Sequence, residues 1–326
     1  MALTYRIRAL CLAFAGLCCA PGVHAEDTRY PAKPIKLVVP YAPGGPTDLV
    51  GRSLAAALAR QLGQPVVVEN KAGAGGNIAH DLVARAEPDG STILLGSIGP
   101  LAIAPHLMKL PYDPAKDLAP ITMGVNFPNV LVAYAGLGIK TLDDYIEMAR
   151  KHPEKMSYAS TGAGSASHLA GELLNQRAGV NIVHVPYKGG APAMVDLLSG
   201  RVASYYSTPS SAQPHIETGK VVAIATTGLK RPAFMPDVPT IAESGIPGFN
   251  ATNWYAFVAP GKTPAGILDR WNEAIVKVLK DPDVSAQLIK HGLTPDPMSR
   301  EELARFIADE SATWGAIIKE RHITAQ

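Results

Sequence analysis

The sequence predicts an α/β protein with two lobes, each a mainly parallel sheet flanked by helices. A unit recurs in which a short β-branched strand, a Gly-rich or Pro-rich turn and an Ala/Leu-rich helix follow one another. The strands are continuous apolar runs, such as Leu37 to Val39 and Val66 to Val68, which is typical of strands covered on both faces. The chain has 326 residues, and a single core usually divides above roughly 250 residues.

The repeated unit occurs four times. Predicted helices begin near Asp48, Ile78 and His168, and a fourth spans Ala193 to Leu198. The strands that precede them are Ile35 to Pro40, Pro65 to Glu69, Met156 to Ala159 and Ile182 to Pro186. Because parallel strands share one direction, the turns after them should gather at one edge of each sheet.

Two stretches dense in Pro and Asp, Leu110 to Pro120 and Arg231 to Phe249, are predicted connectors. Asn126 to Tyr134 and Asn253 to Pro260 are predicted strands that pass between the lobes. The remainder of the carboxyl-terminal part has a helical pattern, with Pro264 at a helix start, and should pack on the first lobe.

These boundaries define the predicted domain organisation. Residues 26–125 and 253–326 should form the first lobe, and residues 126–252 the second. Residues 1–25 are set apart as a leader.

The amino terminus has the pattern of a secretory signal peptide. Arg6 and Arg8 precede an apolar run from Ala9 to Ala20, and the small residues Val23 and Ala25 follow it. The run is too short to span a membrane, which takes roughly 20 residues. We therefore predict export to the periplasm with cleavage after Ala25.

All three cysteines fall inside the predicted leader, so the mature chain would have no disulfide. A lipid anchor on Cys18 is a weaker alternative, because Leu17 stands where a lipid-attachment motif has a small residue. Removing Arg6 and Arg8 leaves 28 basic residues against 28 acidic ones. This balance argues against nucleic acid or an anionic membrane as a partner, since both require a basic excess.

The Gly-rich turns indicate an anion site. At the carboxyl ends of parallel strands they would bring backbone amides and helix amino termini into one crevice, which favours anions. For any single turn, the alternative that glycine only permits a tight bend stays open. A dinucleotide is disfavoured, because Ile78 and Ser167 occupy the third glycine position of the two G-x-G-x-x-G candidates.

A catalytic alternative rests on Ser165, His168 and Asp196. Ser165 lacks the G-x-S-x-G elbow, and residues three apart at a helix start more naturally form a cap with a flanking imidazole. The histidines show no paired metal spacing. We expect no enzyme activity, no cofactor and no metal.

Motifs along nearly the whole mature chain resemble those of the Bug family, the extracytoplasmic receptors of tripartite tricarboxylate transporters. The motifs are YPAKPIKLVVPYAPGGPTD from Tyr30, NKAGAGGN from Asn70, LPYDPAKDLAPI from Leu110, PNVLVAY from Pro128, STGAGSASH from Ser160, VPYKGGAPAMVDLLSGRV from Val185, DVPTIAESGIPGF from Asp237 and NWYAFVAPGKTP from Asn253. Eight motifs in family order make the resemblance specific.

The resemblance implies the two-lobed periplasmic binding protein fold, closing on a ligand in the cleft between its lobes. Family members bind tricarboxylates, dicarboxylates, acidic amino acids or aromatic acids. A monomer that hands its ligand to transporter membrane subunits is expected, and a sensor that signals to a histidine kinase is the alternative. The resemblance also implies that the loops Tyr41 to Asp48 and Ser160 to His168 hold one carboxylate.

Candidate binding residues follow from these loops and the wall opposite them. In the first lobe they are Tyr41, Ala42, Pro43, Gly44, Gly45, Asp48 and Ser97. In the second lobe they are Ser160, Thr161, Gly162, Ser165, His168, Tyr187, Lys188, Gly189, Ala191 and Ser207. The hydroxyls of Thr161 and Ser165 and the shape of Gly44 and Gly45 are expected to dominate affinity.

Some roles stay open. Tyr41 would stack on the ligand or pack in the core, and Lys188 would add a positive field or face solvent. Asp48 is expected as a helix cap rather than a ligand contact. The family's G-x-V-D-x-x-F-D pattern has Ala203 and Ser207 in place of its acids, which disfavours amino-acid ligands.

Overall fold

The computed structural model describes residues 30–324 and contains two mixed sheets flanked by helices. The first sheet has the order β11-β4-β10-β3-β1-β2, and the second has the order β7-β6-β8-β5-β9. The strands of the first sheet are β1 (Ile35–Val39), β2 (Val66–Asn70), β3 (Thr92–Ser97), β4 (Leu118–Pro128), β10 (Thr252–Pro260) and β11 (Thr294–Pro295). Those of the second sheet are β5 (Val130–Tyr134), β6 (Ser157–Ser160), β7 (Val183–Pro186), β8 (Ser204–Ser207) and β9 (Val221–Thr226).

The predicted α/β class is confirmed. Strand β1 pairs in parallel with β2 and β3, and β6 pairs in parallel with β7 and β8. Each sheet also contains antiparallel pairs, made by β10 and β11 in the first and by β5 in the second. Strands β5 and β10 are the first strands after the two points where the chain changes lobes.

The helices cover the faces of both sheets. They are α1 (Pro46–Leu62), α2 (Asn77–Ala84), α3 (Pro114–Asp117), α4 (Leu142–Lys151), α5 (Ala166–Ala178), α6 (Gly190–Leu198), α7 (Pro209–Glu217), α8 (Ala265–Leu279), α9 (Pro282–Lys290) and α10 (Arg300–Arg321). The four helices predicted from the repeated unit are present as α1, α2, α5 and α6. Within the described residues, no helix is both long and apolar enough to cross a membrane.

The predicted coverage of both strand faces holds for β1 but not for β2. Leu37, Val38 and Val39 are fully buried, whereas Val67 has 57% of its surface exposed. Strand β2 lies at the edge of the first sheet, so one of its faces is only partly covered. An apolar run alone does not distinguish an edge strand from a central one.

The chain changes lobes at two places that lie side by side. The first is Asn129, between β4 and β5, so the predicted strand Asn126 to Tyr134 is divided between the two sheets. The return runs between Thr227 and Ala251. It precedes β10, which lies wholly in the first sheet rather than crossing. Thr227 joins the two crossings, because its N–H donates to Asn129 O at 3.0 Å and its O accepts from Ala251 N–H at 2.8 Å.

The carboxyl-terminal helices contact elements of the first sheet and the helices beside it. Helix α8 follows Pro264 and packs against α1 and β4, where Trp271 is buried. Helix α10 packs against β4 and the helical turn Gly99–Ile103. The lobe that contains β1 is therefore completed by the last part of the chain.

Candidate functional site

Four Gly-rich turns from the two lobes meet at the carboxyl ends of β1, β2, β6 and β7. A Cβ atom placed on Gly75 would stand 2.2 Å from Ala163 O, and one on Gly189 would stand 3.0 Å from Ala42 N. The Ala42 N–H also donates across the cleft to Lys188 O at 3.2 Å. The turns lie this close because glycine leaves room for the opposite backbone. We call this contact of Gly75, Ala163, Gly189 and Ala42 the turn interface.

A small cavity lies between the lobes beside the turn interface. About 10 Å³ of it is open to the centre of a water molecule, which is close to the minimum for one ordered water. Its lining residues from the first lobe and the crossing are Tyr41, Ile98, Asn129, Asn253 and Tyr255. Those from the second lobe are Thr161, Ala166, Ser167, Tyr205, Tyr206 and Thr208. These residues are apolar, hydroxyl-bearing or amide-bearing, and all are uncharged.

The amino terminus of α5 forms one end of the cavity. Ala166 and Ser167, its first two residues, line the wall, and the first N–H groups of a helix have no acceptor within it. The Ser167 hydroxyl accepts from Thr161 N–H at 3.0 Å and lies 3.3 Å from the Thr161 hydroxyl. Helix amino terminus and hydroxyls together suit an anion.

Ser165 caps α5 but directs its hydroxyl into its own loop. The hydroxyl donates to Gly162 O at 2.6 Å and accepts from His168 N–H at 3.3 Å. Both contacts are buried, so the Ser165 oxygen shapes the loop. It also lies 3.1 Å from the hydroxyl of Ser167, and Ser167 is the serine that lines the cavity. Sequence reasoning selected Ser165 and missed Ser167, which stands two positions further along the helix start.

Two stacked imidazoles support this loop from behind. The rings of His168 and His184 lie 4.1 Å apart between centroids. His168 Nδ1 accepts from Gly164 N–H at 3.2 Å, and His184 Nε2 lies 2.6 Å from the Ser160 hydroxyl, which accepts from Gly162 N–H at 3.0 Å. Burial, and for His168 the neighbouring His184, lowers the pKa of His168 to about 3 and that of His184 to about 4. Both rings are therefore neutral near pH 7.

Asp196, the third residue of the disfavoured catalytic alternative, lies in a different hydrogen-bond network from Ser165 and His168. Asp196 accepts from the Tyr187 hydroxyl at 2.8 Å and from Arg201 Nη1 at 2.9 Å. In the part of the chain that the structure describes, no hydrogen bond joins Asp196 to His168 or the His168 ring to the Ser165 hydroxyl. Nor do residues 30–324 contain a group of three or more His, Cys, Asp or Glu that could hold a metal ion.

The sequence predicted Asp48 as the cap residue of α1. The structure contradicts this, because α1 begins at Pro46 and its cap residue is Gly45. The Asp48 carboxylate instead reaches back over the first turn and accepts from Gly44 N–H, Arg52 Nε and Asn70 Nδ2, each at 3.0 Å. Partial burial opposes ionisation, but these three hydrogen bonds outweigh it and the pKa of Asp48 is lowered. The carboxylate fixes the first loop from outside the cavity.

Tyr41 lies in the cavity wall and is 6% exposed. Its hydroxyl is 2.9 Å from the Ser97 hydroxyl and donates to Gly75 O at 3.4 Å. Burial raises the pKa of Tyr41, so the phenol is neutral. Ser97 therefore positions Tyr41, and Tyr41 holds the second Gly-rich turn.

The remaining candidates lie around the cavity rather than in its wall. Lys188 has an exposed side chain and contributes its carbonyl to the turn interface. The Ser207 hydroxyl donates to Thr208 O at 3.1 Å, so Thr208 is the lining residue there. A Cβ atom added to Gly45 would stand 3.9 Å from the backbone nitrogens of Gly190 and Ala191.

The chain is similar to known proteins over 91% of its length. The model of the tripartite tricarboxylate transporter family receptor matches residues 50–323. Protein BugT of Bordetella pertussis is 40% identical over 298 residues, covering 91% of each chain. The structure of the periplasmic binding protein BugD has a TM-score of 0.87 at 38% identity, covering 91% of this chain and 100% of that one.

Two further similar structures contain carboxylates. A Rhodopseudomonas palustris protein with adipate has a TM-score of 0.87 at 34% identity, covering 90% of this chain and 99% of that one. MatC of Rhodopseudomonas palustris with bound malate has a TM-score of 0.85 at 34% identity, covering 89% of this chain and 100% of that one. The chain therefore belongs to the tripartite tricarboxylate transporter receptor family, whose members are periplasmic solute-binding proteins and not enzymes.

Proposed function

We propose that this protein captures a small organic carboxylate in the cavity between its lobes and delivers it to the membrane subunits of a tripartite tricarboxylate transporter. The observation that carries the proposal is the uncharged polar cavity at the amino terminus of α5. The likeness to receptors that hold adipate and malate supports the same class of ligand.

In this proposal the carboxylate accepts hydrogen bonds from the Ala166 and Ser167 N–H groups and from the hydroxyls of Thr161, Ser167 and Thr208. A hydrogen bond to a charged group contributes roughly 1.5 to 3 kcal/mol, so several of them can hold an anion without a cationic side chain. The positive end of the α5 dipole adds to this. The surrounding tyrosines keep the site dry, which strengthens each contact.

The lobes must separate to admit a ligand, because the cavity has room for about one water molecule. Bending at the crossings next to Asn129 and Thr227 would open the turn interface. An acid bound at α5 would then draw the first-lobe turns toward it, and closure would present a distinct surface to the transporter. We propose that the receptor acts as a monomer.

Export is part of the same proposal. The predicted leader and its cleavage after Ala25 lie outside the described residues. The intact mass of the protein recovered from the periplasm tests this, since a mature chain that begins at Glu26 is expected and an acylated chain that begins at Cys18 or Cys19 contradicts it.

A thermal-shift screen of di- and tricarboxylates, aromatic acids and amino acids, each beside its amide, tests the ligand class. We expect one or more acids to raise the melting temperature and the corresponding amides to have no effect. Uptake of the best labelled acid by cells with and without this receptor tests delivery. Stabilisation by amides as strong as by acids would contradict the anion site, and unchanged uptake would contradict delivery.

A further inference from the structure

Two buried asparagines form the part of the cavity at the lobe crossings. Asn129 is 0% exposed and Asn253 is 8% exposed, and both line the cavity. Asn253 Nδ2 donates to Asn129 Oδ1 at 3.3 Å. This contact ties the two chain crossings together within the binding cleft.

Each asparagine keeps one polar atom without a partner. Asn129 Nδ2 and Asn253 Oδ1 are buried and have no hydrogen bond to the described part of the chain. Buried amide groups without partners are unfavourable and rare in folded proteins. Two of them beside each other in a binding cavity point to a ligand group that completes their hydrogen bonds.

The free atoms are one donor and one acceptor, and this does not depend on how the amides are oriented. Exchanging nitrogen and oxygen in both side chains would again make one bond between the asparagines and leave one donor and one acceptor. A single ligand group that completes both hydrogen bonds must therefore accept from one asparagine and donate to the other.

We propose that this asparagine pair selects a hydroxyl group on the bound acid, so that the ligand is a hydroxycarboxylate. The hydroxyl oxygen accepts from Asn129 Nδ2 and its proton is donated to Asn253 Oδ1. This inference rests on the proposed function, in which the α5 end of the same cavity holds the carboxylate.

Other ligand groups complete the hydrogen bonds of the asparagine pair less well than a hydroxyl. A second carboxylate or a keto oxygen only accepts, and an ammonium only donates. Among the described residues that line the cavity, none is an acid that could pair with an ammonium. A carboxamide both donates and accepts, but it is a larger planar group in a narrow cavity.

Calorimetry with matched acids of several carbon skeletons tests the inference. The pairs are lactate with propionate, 3-hydroxybutyrate with butyrate, malate with succinate, and citrate with tricarballylate. Aspartate, oxaloacetate and succinamate add the ammonium, keto and carboxamide forms of the four-carbon acid. For the skeleton that binds most tightly, we expect the hydroxy acid to bind at least about tenfold more tightly than its deoxy partner.

The double variant Asn129→Leu, Asn253→Leu is the test variant, because it removes the free donor and the free acceptor together, adds no charge and leaves neither amide without its partner. The hydroxy-to-deoxy affinity ratio should fall close to one. Thr226→Val is the matched control, since the Thr226 hydroxyl is also buried and without a partner but does not line the cavity. The control should keep the wild-type ratio.

Equal binding of hydroxy and deoxy acids by the wild type would overturn the hydroxyl assignment while leaving the carboxylate receptor intact. This comparison needs no variant, so it tests the hydroxyl assignment even if the double variant fails to fold. A preference for succinamate over malate, or an unchanged hydroxy-to-deoxy affinity ratio in the folded double variant, would also overturn it. Absence of binding by every acid would overturn the proposed function as well.

Discussion

Gly75 of the first lobe lies against the carbonyl oxygen of Ala163 in the second, so closely that an added Cβ atom would stand 2.2 Å from that oxygen. The same turns contact again where a Cβ on Gly162 would stand 2.7 Å from the Gly75 backbone. Glycine in these turns therefore permits the lobes to close, in addition to permitting the bends within each lobe.

Gly75→Ala should lower the affinity for the best carboxylate at least about tenfold, because a methyl group would hold the turn interface apart and separate the lobes at α5. Small-angle scattering with saturating ligand should then give a larger radius of gyration than for the wild type. Calorimetry gives the affinity.

Gly179→Ala is the matched control for that substitution. Gly75 and Gly179 have the same backbone φ of 64°, but an added Cβ on Gly179 would meet no atom within 4 Å. Both variants should lose roughly 1 to 2 kcal/mol of stability to left-handed strain. If both also lose affinity equally, strain and not lobe contact is the cause.

Thr161→Val and Ser167→Ala should each weaken carboxylate binding roughly ten- to a hundredfold, since each removes a hydroxyl from the cavity wall. Ser165→Ala should mainly cost about 1 kcal/mol of unfolding free energy, because it removes a helix cap. Dissociation constants and urea unfolding separate the two effects. A larger affinity loss for Ser165→Ala than for Ser167→Ala would contradict this assignment.

The sequence identified the Gly-rich turns and their meeting point because glycine patterns after parallel strands are local features. The sequence does not show whether Ser165 or Ser167 lines the cavity. That depends on which of the two hydroxyls caps α5. Asn129 and Asn253 are 124 positions apart and become neighbours only through the two crossings. Their polar side chains inside apolar runs were the available signal.

The order of the strands in each sheet also could not be predicted from the local sequence pattern. Val66 to Val68 and Leu37 to Val39 have the same apolar character, yet one strand lies at the edge of its sheet and the other inside it. Strand β1 lies inside because β3 pairs with its other side, and neither apolar run indicates that pairing.

Stability should fall as pH decreases from about 6.5 toward 5. Burial lowers the pKa of His80 to about 4 and that of His168 to about 3, whereas an unfolded histidine has a pKa of about 6.5. Below that pH the unfolded chain binds more protons, so unfolding becomes more favourable by about 2 kcal/mol per histidine at pH 5. Urea unfolding at pH 7 and pH 5 measures this loss.

His168→Gln should remove the part of the pH dependence of the unfolding free energy that comes from His168. The raised pKa of Glu172, caused by burial, acts in the opposite direction and makes the net loss smaller. An unfolding free energy that is the same at pH 7 and pH 5 would show that the buried imidazoles accept protons without opening the fold.

Calorimetry of one acid against its own primary amide, at pH 7 and with a chelator present, tests whether an uncharged cavity at a helix amino terminus holds an ionised carboxylate. The wild type should bind the acid without metal and bind the amide at least about a hundredfold more weakly. The double variant Thr161→Val, Ser167→Ala should lose most of this difference. Equal affinity of the wild type for acid and amide, or binding abolished by the chelator, would contradict the receptor site described for this cavity.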